Sequence, residues 1–252
     1  MGMPSKRAEY LGNENYNNQG CLMKVAEYNS YNDIIIEFQD EHKHRVHTKY
    51  SCFLNGSVYN PYLPHKETRV SKGYIGNTSC KTPNGDFKKS YIHWNAMITR
   101  CSQSNNETYK DCSICDEWLC FENFEKWFDV NYYEIPNERM FLDKDIIKKG
   151  NKIYCPEYCC FVNRKINNMF TKNNKNRGDL PSGVTEDPLG KYKYRVVASK
   201  KYLVRYNDLD EAFCVYKEYK ENLIKEQADR FKEYLPQNVY DALYNYQVEI
   251  TD

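Results

Sequence analysis

The spacing of hydrophobic and polar positions changes several times along this chain, and each pattern predicts a different element. Residues 24–28 and 33–38 (Asp-Ile-Ile-Ile-Glu-Phe) are rich in β-branched and aromatic side chains and read as strands. Asn55-Gly56 is a turn signal, and Pro61 and Pro64 stop regular pairing, so residues 21–63 predict a small β-rich module. The polar, Asn-rich residues 1–20 read as a flexible N-terminal arm, and residues 64–89, with Gly73, Gly76, Pro83 and Asn84-Gly85, as a linker. From Ser90 the period becomes helical. Trp94, Met97, Ile98 and Cys101 share one face, and Trp118, Phe121, Phe124, Trp127 and Phe128 form an aromatic stripe on a helix expected over 115–133. Each such ring contributes on the order of 2–3 kcal/mol when buried.

Residues 139–170 predict a β-β-α unit. Two short strands flank Lys149-Gly150-Asn151-Lys152, Cys155-Pro156-Glu157 breaks the second, and a helix runs from Arg164 to Phe170. Residues 90–170 are thus expected to form a helical and ββα domain, followed by a basic linker at 171–182. In the last module, 183–252, alternation over 191–198 turns Lys191, Lys193 and Arg195 to one face and Tyr192, Tyr194, Val196 and Ala198 to the other. Residues 201–206 form a second strand. Asp208 to Glu211 then supply the acids that favour a helix N-terminus, ahead of an apolar stripe of Ala212, Val215, Tyr216, Tyr219 and Leu223. A short helix with Val239, Leu243 and Tyr246 closes the chain. The expected fold class is α+β, multi-module, ending in a three-stranded sheet backed by one long helix.

Charge sharpens this picture. The 252 residues hold 36 Lys+Arg and 35 Asp+Glu, a net charge of +1, which excludes a uniformly basic coat and an acidic nucleic-acid mimic. No apolar run is long enough for a transmembrane helix, so no membrane partner is expected. The charge is nevertheless segregated. Arg164, Lys165, Lys172, Lys175, Arg177, Lys191, Lys193, Arg195, Lys200, Lys201 and Arg205 face only Asp179, Glu186 and Asp187 across residues 164–205, whereas residues 208–233 hold eight acids and five bases. A sheet with Lys and Arg on its open face can enter a DNA groove, which makes double-stranded DNA the expected partner; the alternative is an ordinary solvated face.

Gly183-Val184, followed by GKYKYRV and KKYLVRYNDLDEAFCVYKEYKE, resembles the plant-type APETALA/ethylene-response DNA-binding domain as it occurs in phage and mobile-element proteins. The resemblance covers roughly 45 residues and implies three DNA-reading strands braced by a helix, with Lys193, Arg195, Lys201 and Arg205 facing DNA. Leu142-Asp143-Lys144-Asp145, Gly150-Asn151-Lys152-Ile153-Tyr154-Cys155-Pro156-Glu157-Tyr158-Cys159 and Asn167-Asn168 resemble the ββα core of phage HNH homing endonucleases. That resemblance implies Asp143 and Asn167 as ligands of one Mg²⁺ or Mn²⁺, with Lys144 in the position of the general base. The chain departs from the family there. Lysine replaces the histidine that activates water, and Tyr158 replaces the asparagine of P-E-N-C; a lysine is a poor base unless its pKa falls by several units.

Eleven cysteines, in a chain whose start lacks the apolar core of a secretory leader, are expected to be reduced thiols of a cytoplasmic protein. Cys112-x-x-Cys115 with Cys155 and Cys159 approaches zinc-ligand spacing but lacks a glycine knuckle, and buried free thiols are the alternative. Asp116-Glu117 reads as acids at a helix start. Three functions follow as expectations: a DNA-binding protein on an HNH-like scaffold with a degraded catalytic motif, a metal-dependent homing or nicking endonuclease, and a phage counter-defence protein whose partner is a host defence protein such as a CRISPR nuclease.

Overall fold

The computed structural model describes residues 9–64, 73–102, 109, 111–170, 180–199 and 201–251. The fold is α+β, and the chain divides into two compact units, Met1–Asp129 and Val130–Asp252. The expected 90–170 domain is therefore split. Its helical part belongs with the N-terminal module and its β-β-α part with the C-terminal sheet.

In the N-terminal unit, β1 (Glu14–Tyr16), β2 (Leu22–Ser30), β3 (Asp33–Phe38) and β4 (Arg45–Thr48) form an antiparallel meander in chain order. The two-residue period buries Met23, Val25, Ile34, Ile36 and Phe38 with Tyr50 and Phe53 of α1 (Tyr50–Leu54). Residues 9–20 are not a free arm: β1 pairs with β2, and the Tyr10 ring lies 5.0 Å from Tyr28 and 4.6 Å from Tyr50. The asparagines that suggest flexibility act as backbone surrogates. Asn15 Nδ2 donates to the carbonyls of Phe53 (2.8 Å) and Leu54 (3.0 Å), while Asn17 Oδ1 accepts from the N–H groups of Gln19 and Cys21. Residues 1–8 lie outside the described residues. His42 and His44 precede β4, and both rings pack on Tyr62.

The helix α2 (Lys89–Ser102) buries Trp94, Met97 and Ile98 as its period requires. After the two-residue strand β5 (Ser113–Ile114), the expected helix over 115–133 is two helices, α3 (Asp116–Leu119) and α4 (Phe121–Asn131). Cys120 between them is extended and bridges Tyr74 in parallel, which interrupts the helical hydrogen bonds. The aromatic stripe survives the break: Trp118, Phe121 and Phe124 are fully buried, and Trp94 Nε1 donates to the Trp118 carbonyl at 2.8 Å. The described part of the expected linker is tied down as well, with Thr78, Lys88 and Ser90 converging on the Glu125 carboxylate.

In the C-terminal unit, β6 (Met140–Asp143) pairs antiparallel with β8 (Cys160–Asn163), so β7 (Ile153–Tyr154) is not the partner that the glycine turn at 149–152 implies. Side-chain hydrogen bonds rather than a hairpin ladder fold the intervening loop. Asn163 then caps α5 (Arg164–Phe170), its Oδ1 accepting from Ile166 N–H at 2.9 Å. The strands β9 (Val184–Glu186), β10 (Tyr194–Ala198) and β11 (Lys201–Tyr206) form an antiparallel sheet with β10 in the middle. Behind it runs α6 (Leu209–Arg230), capped by Asp208, which accepts from Glu211 N–H at 3.0 Å. Its most buried face is Ala212, Phe213, Ile224 and Ala228 rather than the expected stripe through Tyr219 and Leu223. The final helix α7 (Gln237–Tyr244) buries Val239 and Leu243, as its spacing predicts. No helix among the described residues is long and apolar enough to cross a membrane.

One glycine controls how this sheet meets its helix. Gly183 has φ +76°, and a Cβ built there would lie 1.9 Å from the Tyr216 ring of α6. Its carbonyl also accepts from Val197 N–H at 2.8 Å. Gly183→Ala is expected to cost about 3 kcal/mol, from left-handed backbone strain plus overpacking, read as a lower midpoint in urea unfolding followed by circular dichroism. A midpoint equal to that of the wild type would mean that the Tyr216 ring yields without loss.

Candidate nucleic-acid interface

Antiparallel pairing sets Arg195 of β10 directly opposite Arg205 of β11 and Thr185 of β9. Val184, Val196, Val204 and Tyr206 turn inward against α6, so the two-residue period turns both arginines to the other face. Beyond a bulge, Val197 pairs with Tyr202, a residue 52% exposed whose ring centre lies 4.8 Å from the Arg205 guanidinium carbon. The outer face of the sheet thus carries two arginines, a tyrosine and a threonine.

Two cations placed directly opposite one another repel. Here one of them is neutralised. Arg205 Nε donates to Asp187 Oδ1 at 2.9 Å, and the Asp187 side chain is wholly buried. Asp187-Pro188-Leu189-Gly190 has proline second and glycine fourth, as a β-turn prefers, and Gly190 N–H closes that turn on the Asp187 carbonyl at 3.1 Å. The same carboxylate accepts more loosely from Leu189 N–H (3.5 Å) and Tyr192 N–H (3.4 Å). Burial pushes the Asp187 carboxyl up. The Arg205 guanidinium and the two N–H groups more than offset this and hold it below the usual carboxylate range, while the bond to Asp187 raises Arg205. Arg195 and the exposed Lys201 make no ion pair among the described residues, and Arg195 Nε is buried without an acceptor.

The remaining expected contacts divide. Strand β10 begins only at Tyr194, so Lys191 and Lys193 lie in the preceding bend and do not share the Arg195 face through strand alternation. Lys193 is anchored there by its backbone, its N–H donating to Asn207 Oδ1 and its carbonyl accepting from Asp187 N–H, each at 3.1 Å. Lys165 is paired with Glu138 at 3.0 Å, and exposed Arg164 lies over the Phe141 ring. Lys175, Arg177 and Lys200 lie outside the described residues, as does residue 171–179 of the expected linker.

The residues expected to form a nuclease centre hold a loop together. Asp143 Oδ1 accepts from Asp145 N–H (2.7 Å) and Ile146 N–H (3.0 Å), and burial pushes its carboxyl up. Lys144 is buried; its Nζ donates to Asp145 Oδ1 (2.6 Å) and to the Asn151 carbonyl (3.1 Å). Asn151 answers with Nδ2 bonds to the carbonyls of Lys144 (2.9 Å) and Ile153 (2.7 Å). A general base needs a free lone pair aimed at substrate, and this ammonium is already committed. Asn167 is half-buried on α5, which packs on the strand that carries Asp143.

The four candidate zinc ligands fall two in each unit. Cys112 is buried and Cys115 half-buried in the first; Cys155 and Cys159 are buried in the second, one turn apart, and burial pushes the Cys155 thiol up. Among the described residues no group of three or more His, Cys, Asp or Glu is arranged to hold a metal ion.

Two residues of the sheet surface escape a reading by charge. Asp187 enters such a count only as a subtraction, although its turn sequence marks it as a structural acid, and Tyr202 is hidden by the assumption that the tyrosines face inward. Neither a family model, nor a curated protein, nor a solved structure matches this chain.

The locked loop carries its own prediction. Asp143→Ala leaves two N–H groups without their acceptor in a buried setting and is expected to cost about 2 kcal/mol, whereas Asp143→Asn keeps an accepting oxygen and loses less than half of that. Urea unfolding of the two variants checks the order, and equal losses would mean that the carboxylate does not hold the loop through these bonds.

Proposed function

We propose that this chain is a double-stranded-DNA-binding protein that presents the outer face of β9, β10 and β11 to the duplex and binds without cutting it. The observation that carries the reading is the juxtaposition of Arg195 and Arg205 on the solvent side of a twisted antiparallel sheet, with Tyr202 beside them and Lys201 at the hairpin end. With Arg205 neutralised by Asp187, the charge this face offers a polyanion is that of Arg195 and Lys201, neither of which makes an ion pair among the described residues. The acids of α6 stand on the opposite side of this layer, which orients the basic face toward DNA.

The resemblance of the C-terminal module to a DNA-reading domain of phage and mobile-element proteins supports the same reading and makes the cytoplasm of a host cell the place of action. Cleavage with Mg²⁺ or Mn²⁺ and Lys144 as the base would require Lys144 to leave the bonds that fold its loop.

Fluorescence anisotropy with a labelled duplex at several salt concentrations tests the proposal. Arg195→Ala and Lys201→Ala are each expected to lower the slope of log K against log[salt] by about 0.9, and Arg195→Glu with Lys201→Glu to abolish measurable binding at 0.15 M salt, taken as a reference of about physiological ionic strength. Unchanged binding by the double variant would remove the sheet from the interface. Supercoiled plasmid is expected to stay intact with either metal, and nicking that Asp143→Asn abolishes would restore the endonuclease reading.

A further inference from the structure

Arg195 and Arg205 are opposite neighbours on one face, yet their surroundings differ in charge. Arg195 has no carboxylate partner among the described residues. Arg205 is bonded to a buried carboxylate, so that Arg205 and Asp187 together are electrically neutral. A neutral pair displaces few counterions from DNA, whereas an unpaired cation at a phosphate displaces about one. Geometry adds a second difference. Asp187 holds Arg205 through Nε, and the centre of the Tyr202 ring lies 4.8 Å from the guanidinium carbon, so the Nε side is fixed while the edge bearing Nη1 and Nη2 is the one Asp187 does not hold. A guanidinium fixed in this way is a preorganised fork for two acceptors lying side by side in one plane.

We infer that Asp187 is a positioning residue that divides the labour of the two arginines. Arg195 supplies charge to the phosphates, and Arg205, held as a neutral fork, reads a base. The inference rests on the reading of this sheet as a surface for duplex DNA and deepens it by naming what is recognised. In the major groove the base edge with two adjacent acceptors is that of guanine, N7 and O6. The Asp187–Gly190 turn belongs to the same device. Its carboxylate closes the turn and grips Arg205, so loop and side chain are fixed together, and Leu189 at the tip, 73% exposed, is carried on that turn beside the sheet.

The test uses the full chain. Wild type is first passed over a randomised duplex pool, and the preferred duplex is then measured by anisotropy beside a copy carrying 7-deazaguanine. A guanine preference at one position is expected, weakened about tenfold when N7 is removed. Asp187→Ala is expected to have two opposite effects: the salt slope rises by about 0.9, because Arg205 becomes an unpaired cation, and the guanine preference falls about tenfold. A purely structural role for Asp187 would lower affinity and slope together. Arg205→Lys keeps the charge opposite Asp187 and does not depend on Asp187→Ala folding; it is expected to leave the slope unchanged and to lose the same preference. Arg195→Ala is expected to do the reverse. If Asp187→Ala or Arg205→Lys retains the guanine preference, or if 7-deazaguanine binds as well as guanine, the inference is overturned while the DNA-binding reading stands. No duplex binding by the wild type overturns both.

Discussion

A buried polar side chain bonded to several backbone groups at once is the device on which the irregular parts of this protein depend. Asn17, Asn151 and Asp187 are buried, and each bonds two or more backbone groups away from a regular ladder. Leaving one buried backbone group unpaired costs about 1–3 kcal/mol, so a side chain that serves two or three of them fixes a loop as firmly as a short strand would. The sheets here have two to four strands, and much of the chain runs between them. The loops hold their shape because their hydrogen bonds end on protein atoms rather than on water.

The same device explains which parts of the architecture are legible in the sequence. Asp33–Phe38, Lys89–Ser102 and the stripe from Trp118 to Phe128 are legible because a hydrophobic period repeats within each. Asp208 as a cap is legible because capping is local. The pairing of β6 with β8 across an intervening loop is not, since nothing periodic marks two short strands that meet at a distance in sequence. The Asn-rich residues 13–17 mislead in the other direction. Composition treats asparagine as a sign of flexibility, but a carboxamide that reaches Phe53, Leu54 and Val58 builds an edge strand into a sheet. The break at Cys120 is equally silent, because it answers to Tyr74, far away in the chain.

The candidate site repeats the lesson with higher stakes. The residues that make 142–159 resemble a nuclease motif, Asp143, Lys144 and Asn151, are also those that close the loop between β6 and β7. A motif can persist for either reason, and residue identity alone does not separate a metal ligand from a turn-former. Bond directions do: Asp143 receives two backbone N–H groups on one oxygen, and Lys144 donates to a carbonyl that Asn151 must place. On the sheet the arginines were legible as bases, but their inequality was not, since it depends on a buried acid contributed by the β9–β10 turn.

That inequality bears on how a nearly neutral chain can engage a polyanion. With a net charge of +1, long-range attraction is weak, and residues 208–233 carry an excess of three acids behind a sheet that is basic in front. Such an arrangement turns the molecule in the field of DNA more than it pulls it in. On the proposed reading, non-specific affinity, which grows with the number of phosphates neutralised, would be correspondingly small. On that reading, tight binding would come from short-range contacts whose geometry is set before the encounter, and an arginine clamped by a buried carboxylate beside an aromatic ring suits that. Neutralising one of two facing arginines therefore serves the fold and the proposed reading at once. It removes the cross-strand repulsion in the free protein, and it exchanges indiscriminate charge for a directed edge.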